Sequence, residues 1–247
     1  MKFVSVQASA FKAVFEVLKD ILNDVNIYFT PEGIRVTTLD TAQSALIDMF
    51  LRADNFEEYS CPDEIVAGVN ISNTFKLLKT ITNNDIITMA VNSKEHIDIS
   101  IQNESKKSNT KFQLKLLDIN EEQIELPAIE MSVTTTMQSA DFQRICRDMN
   151  NIATNVQITR AEKEFRIQCA GDFANQETVI ECNDDMGSGK NLSGTYSLKY
   201  LNIFTKATGM CSTVQIMQED ENRFLVLKYN VANLGELKFY LATKIDD

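Results

Sequence analysis

The chain is poor in the residues on which much catalysis depends. It has no tryptophan, one histidine, three prolines and eight glycines in 247 residues. With His96 alone, a histidine metal cluster is excluded, and a Ser-His-Asp or Cys-His site has a single possible base. So few glycines leave little room for a nucleotide fold built on glycine turns. The five cysteines, Cys61, Cys146, Cys169, Cys182 and Cys211, are odd in number, widely spaced and without a CxxC pair. That pattern fits free thiols in a reducing compartment better than a disulfide framework. No run of about 18 apolar residues is present, so no membrane-spanning helix is expected. Lys12 and Glu16 interrupt the first apolar stretch, which lacks the uncharged core of a secretory signal. An intracellular protein with no membrane partner is the expectation.

With 44% hydrophobic and 24% charged residues the composition is that of an ordinary globular protein. The length suits one large domain or two of roughly 120 residues each. The 24 basic and 35 acidic residues give a net charge of −11. Spread evenly, such charge would repel nucleic acid. The local patterns show that it is not evenly spread.

Strand periodicity dominates. Phe112, Leu114 and Leu116 alternate with Lys111, Gln113 and Lys115, the pattern of a sheet with one buried face. Val25, Ile27 and Phe29 alternate up to the turn Pro31-Glu32-Gly33, and Ile34 and Val36 resume beyond it, which predicts a hairpin. Similar runs cover Ala45–Leu51, Ile86–Val91, Ile97–Ile101, Val133–Met137, Phe165–Cys169, Val214–Met217, Phe224–Tyr229 and Leu237–Leu241. Four segments have helical spacing instead. Phe11, Val14, Phe15, Leu18, Ile21 and Leu22 form one apolar stripe, and Phe142, Ile145, Met149 and Ile152 form another after Ser139. Two shorter helices are predicted over Ser72–Ile81 and Leu198–Thr208.

The order helix, strands, helix, strands therefore occurs twice. Phe142 follows Phe11 by 131 residues, and Lys206 follows Lys79 by 127. The near-equal offsets predict two copies of one α+β domain, residues 1–116 and 132–247. Residues 117–131 between them are acidic and aperiodic and contain Pro127, which predicts an extended connecting loop. Its apolar Ile124, Leu126 and Ile129 suit either a loop laid on the protein, helping to form a groove, or a packed crossover.

Motifs for chemistry fail on inspection. Asp184 to Lys190 ends in Gly-Lys, but a Walker loop needs glycine where Asp184 stands and Ser or Thr where Asn191 stands. A hydrolase built on Lys190 is thereby disfavoured. The carboxylate pairs Glu57-Glu58, Glu121-Glu122 and Asp184-Asp185 fall in loop-like stretches and read as solvating charge. Neither catalytic residues, nor a metal site, nor a cofactor is expected. The informative signal lies in the helices, each with two basic residues at a spacing of three or seven: Lys12 and Lys19, Lys76 and Lys79, Arg144 and Arg147, Lys199 and Lys206. Any one pair could belong to a salt-bridged solvent face, with Glu16, Asp20, Asp141 and Asp148 as partners. All four together predict a basic surface set apart from an acidic exterior, suited to sequence-independent contact with a phosphate backbone.

Longer stretches carry a resemblance. Asp141-Phe-Gln-Arg-Ile-Cys-Arg-Asp-Met149, Leu198-Lys-Tyr-Leu-Asn-Ile-Phe-Thr-Lys-Ala-Thr208 and Leu237-Lys-Phe-Tyr-Leu-Ala-Thr-Lys-Ile-Asp246 are similar to the proliferating cell nuclear antigen (PCNA) family of DNA sliding clamps. Leu18-Lys-Asp-Ile-Leu22, Ala67-Gly-Val-Asn-Ile71 and Asn84-Asp-Ile-Ile-Thr88 add to it. The resemblance implies the DNA clamp fold: two duplicated domains per chain, and three chains closed head to tail with helices inside and sheets outside. It implies a non-enzymatic processivity factor for replication and repair, nuclear in a eukaryotic cell. Its partners would be double-stranded DNA, a replicative polymerase, a clamp loader and other PCNA-interacting-peptide proteins, with the eight basic residues above facing the duplex. The implied peptide groove is Leu39, Ser44, Leu46, Ile124, Leu126, Pro127, Met131, Phe224, Tyr240, Leu241, Ala242 and Thr243. The implied subunit interface pairs the edge at Phe112 with Thr178, Val179, Ile180 and Glu181. Against the family pattern, Met131 replaces a tyrosine, Phe224 and Thr243 replace prolines, and Gln43 replaces a histidine. Glu162, with Lys163 beside it, stands where the family has its ubiquitin-acceptor lysine. A subunit of a heterotrimeric checkpoint-type clamp is the alternative reading.

Overall fold

A computed structural model of the chain describes residues 1–120, 123–124, 126, 129–182, 191–221 and 223–244. It divides into two compact units. The first comprises Met1–Thr41, Ile47–Glu125 and Asn230–Leu237, the second Ala42–Leu46, Leu126–Tyr229 and Lys238–Asp247.

The first half of the chain runs β1 (Lys2–Ser5), α1 (Ala8–Leu18), β2 (Asp24–Thr30), β3 (Gly33–Leu39), β4 (Ala45–Arg52), β5 (Glu58–Ser60), β6 (Ile65–Asn70), α2 (Ile71–Leu78), β7 (Asp85–Val91), β8 (His96–Asn103) and β9 (Ser108–Lys115). The second half runs β10 (Val133–Gln138), α3 (Ser139–Asn150), β11 (Asn155–Arg160), β12 (Glu164–Ala170), β13 (Asn175–Glu181), β14 (Leu192–Ser197), α4 (Leu198–Phe204), β15 (Thr213–Gln218), β16 (Phe224–Val231) and β17 (Gly235–Ala242). In the first half one sheet has the order β5-β1-β7-β8-β9, and β4-β3-β2-β6 lie side by side. In the second half β13-β12-β11-β14 form a sheet, and β10-β15-β16-β17 lie side by side. Strand for strand the orders match, with β5 as the addition. The repeat read from helix spacing is thus a repeat of topology.

The predicted strands are present at close to their expected bounds. Strands β1, β5, β6, β11, β13 and β14 were not marked by an apolar run. They are short, or carry polar residues and Gly194, and their partners supply the ladder that their own sequences do not announce. The last predicted helix is shorter than its stripe: α4 ends at Phe204 and a 3₁₀ turn covers Thr205–Gly209. There the Thr205 hydroxyl donates to the Asn202 carbonyl at 3.2 Å, and Gln143 takes the Thr205 carbonyl at 2.8 Å. Those bonds serve carbonyls that a continuing α-helix would use.

The cores follow from alternation. Ile97, Ile99 and Ile101 of β8 are buried, as are Ile87, Met89 and Val91 of β7, while the intervening residues face outward. Each fully buried side chain of this kind contributes about 1.5–3 kcal/mol. In the first unit Phe3 stacks on Phe11 of α1 at 5.2 Å and meets Phe56 at 5.0 Å. In the second, Phe204 of α4 stacks on Phe239 at 4.5 Å. The rings fasten a helix to each sheet. Gly33, at φ +149°, closes the β2–β3 hairpin where a Cβ would lie 2.0 Å from the Leu51 carbonyl oxygen. Gly68 lets the chain leaving β9 press onto β6, with the Leu117 N–H donating to its carbonyl at 2.8 Å.

Candidate nucleic-acid interface

In the first unit α1 and α2 pack side by side. Helix α1 buries Phe11, Val14, Phe15 and Leu18, and α2 buries Ile71, Thr74 and Leu78. Asn70 caps α2, its side chain accepting the Asn73 N–H at 2.9 Å. The four cations behave differently. Lys12 is half-buried and donates to the Ile81 carbonyl at 3.1 Å. Lys19, also half-buried, pairs with Asp20 at 2.8 Å and lies 5.5 Å from the centre of the Phe75 ring. Lys12 thus bonds the turn after α2 and Lys19 lies over the Phe75 ring of α2, while each ammonium, with three N–H donors, keeps donors for a ligand. Lys76 and Lys79 are exposed, and Lys76 donates to the Asn73 side chain at 3.0 Å.

The second unit repeats the pair with α3 and α4. Phe142, Ile145, Cys146 and Met149 of α3 face inward, which turns Arg144 and Arg147 to solvent. Arg144 pairs with Asp141 at 3.1 Å, with both side chains more than half exposed, so the bond is weak and easily exchanged for phosphate. Lys199 on α4 and Lys206 on the 3₁₀ turn are exposed. Two polar residues that sequence reading did not single out position the helices. Gln143 reaches the Thr205 carbonyl, and Asn202 donates to the Cys146 carbonyl at 3.2 Å and to Leu198 at 2.8 Å. Their signal in the sequence was an amide beside an apolar stripe, which is too common to be decisive.

The remaining candidates resolve as structure. Ser93 Oγ lies 3.3 Å from His96 Nδ1, and His96 Nε2 lies 3.5 Å from Asp98 Oδ1, an outline of a triad. The Ser93 hydroxyl, however, accepts the Glu95 N–H at 3.2 Å, and Asp98 is partly exposed and engaged by Asn92 and Gln113. A nucleophile held in a turn and an orienting acid open to water lack the arrangement that acyl transfer requires. No group of three metal-ligating side chains occurs among the described residues. The Asp184–Lys190 loop, Glu121-Glu122 and Pro127 lie outside the described residues. The residues assigned to a peptide groove fall in both units. Leu39 is exposed, and Ser44, Leu46, Ile124, Leu126, Met131, Phe224, Tyr240 and Thr243 are half-buried. Ala242 is exposed, whereas Leu241 is buried. The two strands assigned to a subunit interface, β9 and β13, are both sheet edges.

Family comparison places these helices in context. Residues 2–125 match the N-terminal domain model of proliferating cell nuclear antigen, and residues 125–244 match its C-terminal domain model. The chain belongs to the proliferating cell nuclear antigen family. It is 38% identical over 252 aligned positions to a protein described as probable DNA polymerase sliding clamp 1 of Paramecium bursaria Chlorella virus 1. That alignment covers 96% of this chain and 94% of the relative. The duplicated domains and antiparallel sheets are those of the PCNA clamp fold. Membership places the chain among non-enzymatic processivity factors.

Proposed function

We propose that this PCNA-family chain is a DNA sliding clamp: three copies close head to tail around duplex DNA and tether a replicative polymerase. The observation that carries this reading is the repeated helix pair, each presenting exposed cations in a chain whose net charge is −11. Lys76, Lys79, Arg144, Arg147, Lys199 and Lys206 would neutralise phosphates without reading bases, with the half-buried Lys12 and Lys19 adding less. Contacts of this kind are weak and exchange readily, which permits sliding, and closure of the ring supplies retention. Client proteins, the clamp loader among them, would dock through the groove inferred from family resemblance, with Leu126 and Met131 among its apolar residues. The protein would act wherever the genome is replicated, in the nucleus if the cell is eukaryotic.

The test is topological. With a clamp loader and ATP, the protein is loaded on a nicked circular plasmid and separated from free protein by gel filtration. Retention on the circle and escape after a single restriction cut is the expected result. Equal retention before and after the cut would mean binding by surface contact alone and would overturn encirclement.

A further inference from the structure

Two stretches of the first half are free of negative charge. Residues 71–84, which hold α2 and the turn after it, contain Lys76 and Lys79 and no carboxylate, in a chain with 35 of them. Residues 105–117, which hold most of the β8–β9 turn and all of β9, contain Lys106 and Lys107 among four lysines and again no carboxylate. A buried clasp fastens the two stretches together. Asp85 and Asn103 stand opposite each other on β7 and β8 and are 4% and 7% exposed. The Asp85 carboxylate accepts the Thr82 N–H at 2.7 Å, the Thr82 hydroxyl at 3.1 Å and the Asn103 side-chain amide. The carbonyl end of the same Asn103 side chain accepts the Lys106 N–H at 2.8 Å and the Ser105 hydroxyl at 2.7 Å. The Lys107 N–H closes the turn on the Glu104 carbonyl at 3.2 Å, with Lys107 at φ +49°. A bonded network of this kind holds the turn rigidly against the segment that leaves α2. Lys106 and Lys107 are both exposed, and among the described residues neither ammonium forms a hydrogen bond or an ion pair. The nearby acids do not cancel them: Asp85 is buried and engaged, and Glu104 is the one carboxylate of the turn.

We propose that Lys106 and Lys107 form a further DNA-binding site, which extends the basic surface of α2 past the helix end and contacts duplex phosphates beyond those met by the helices. The inference rests on the sliding-clamp reading and adds to it a contact that no helix carries. A lysine ammonium is a point charge on a flexible stem, suited to neutralising phosphate without reading bases. The backbone beneath it is already ordered, so contact costs little further ordering. In the second half the corresponding turn, between β16 and β17, is Val231-Ala-Asn-Leu234 and has no charge. The contact therefore belongs to the first unit alone.

Fluorescence anisotropy with a short linear duplex, repeated over a range of salt, tests the site on four proteins. They are wild type, Lys106→Gln with Lys107→Gln, Lys106→Arg with Lys107→Arg, and Lys2→Gln with Lys94→Gln. The last pair removes the same charge from the opposite end of the sheet, one strand length or roughly 20 Å away. Circular dichroism melts and light scattering check fold and mass. The Lys106→Gln, Lys107→Gln protein should bind roughly threefold to tenfold more weakly at low salt. Its dependence of log affinity on log salt should become shallower by about 2 for each copy whose turn meets the duplex. The arginine pair should bind as wild type does, because the charge is kept, and the remote pair should lose less than twofold. Equal losses in the remote pair and the turn pair would make the effect one of net charge, and the site would be wrong. A lower mass for the glutamine pair would assign these lysines to assembly and would also overturn it. Unchanged binding by the glutamine pair, in a protein that stays on closed circles, removes the turn contact and leaves the clamp standing. Failure of wild type to stay on closed circles would instead remove the clamp reading.

Discussion

Single side chains set the acid response and the thiol reactivity of this protein. Asp85, at the start of β7, is buried, and burial works to raise its carboxyl. The Thr82 N–H, donating at 2.7 Å, the Asn103 side-chain amide and the Thr82 hydroxyl outweigh that effect, with Lys106 nearby, and hold it below the ordinary carboxylate value of 3.8. A depressed folded value means that the stability it confers is complete above 3.8 and is lost as pH falls through the folded value. Asp85→Asn should therefore cost about 1–3 kcal/mol at neutral pH, with the deficit shrinking in strong acid, as read from urea midpoints at the two pH values. The cysteines divide by burial. Cys61, Cys146 and Cys169 are buried, and burial pushes their thiols up, whereas Cys182 and Cys211 are half-buried. In a native labelling experiment read by peptide mass, Cys182 and Cys211 should be modified first. Early modification of Cys146 would contradict the packing of α3.

At the scale of elements, side-chain amides decide how each helix pair is held. Replacing Gln143 or Asn202 with alanine removes a part-buried hydrogen bond across the helix pair and should cost about 1 kcal/mol each in chemical unfolding. The counterpart of Gln143 is Lys12, which also spans its helix pair. The sequence shows that a cation sits at Lys12, but not that its ammonium donates to the Ile81 carbonyl, because periodicity identifies a face and not what lies across it. The same limit applies to α4, whose apolar stripe continues past Phe204 although the α-helix does not. Strands such as β7 and β8 were legible because one buried face imposes alternation. Strands such as β5 and β14 were not, since their pairing depends on partners distant in the chain. The duplicated topology was legible from spacing alone, because two copies of one domain keep similar intervals between equivalent helices. Of the eight cations of the candidate interface, six are exposed, while Lys12 and Lys19 are half-buried, a difference that spacing along a helix does not encode.

For the whole molecule, the question is how a protein of charge −11 stays on a polyanion. Long-range repulsion from an acidic exterior opposes association from solution, and a few exposed cations on helices provide only short-range attraction. Contact and retention should therefore separate under mutation. Arg144→Gln with Arg147→Gln removes two cations from α3 without touching its buried face. Direct binding of the unloaded protein to a short linear duplex should weaken, and the dependence of log affinity on log salt should become shallower by about 2 for each copy whose α3 contacts the duplex. On the proposed ring the half-life of the loaded variant on a closed circle should stay near that of wild type, because escape would require opening a seam and not breaking a phosphate contact. Faster diffusion along the duplex, followed by single-molecule tracking, should accompany the lost contacts. If the half-life on closed circles instead fell in proportion to the direct affinity, retention would rest on the cations themselves, and the acidic exterior would need another explanation.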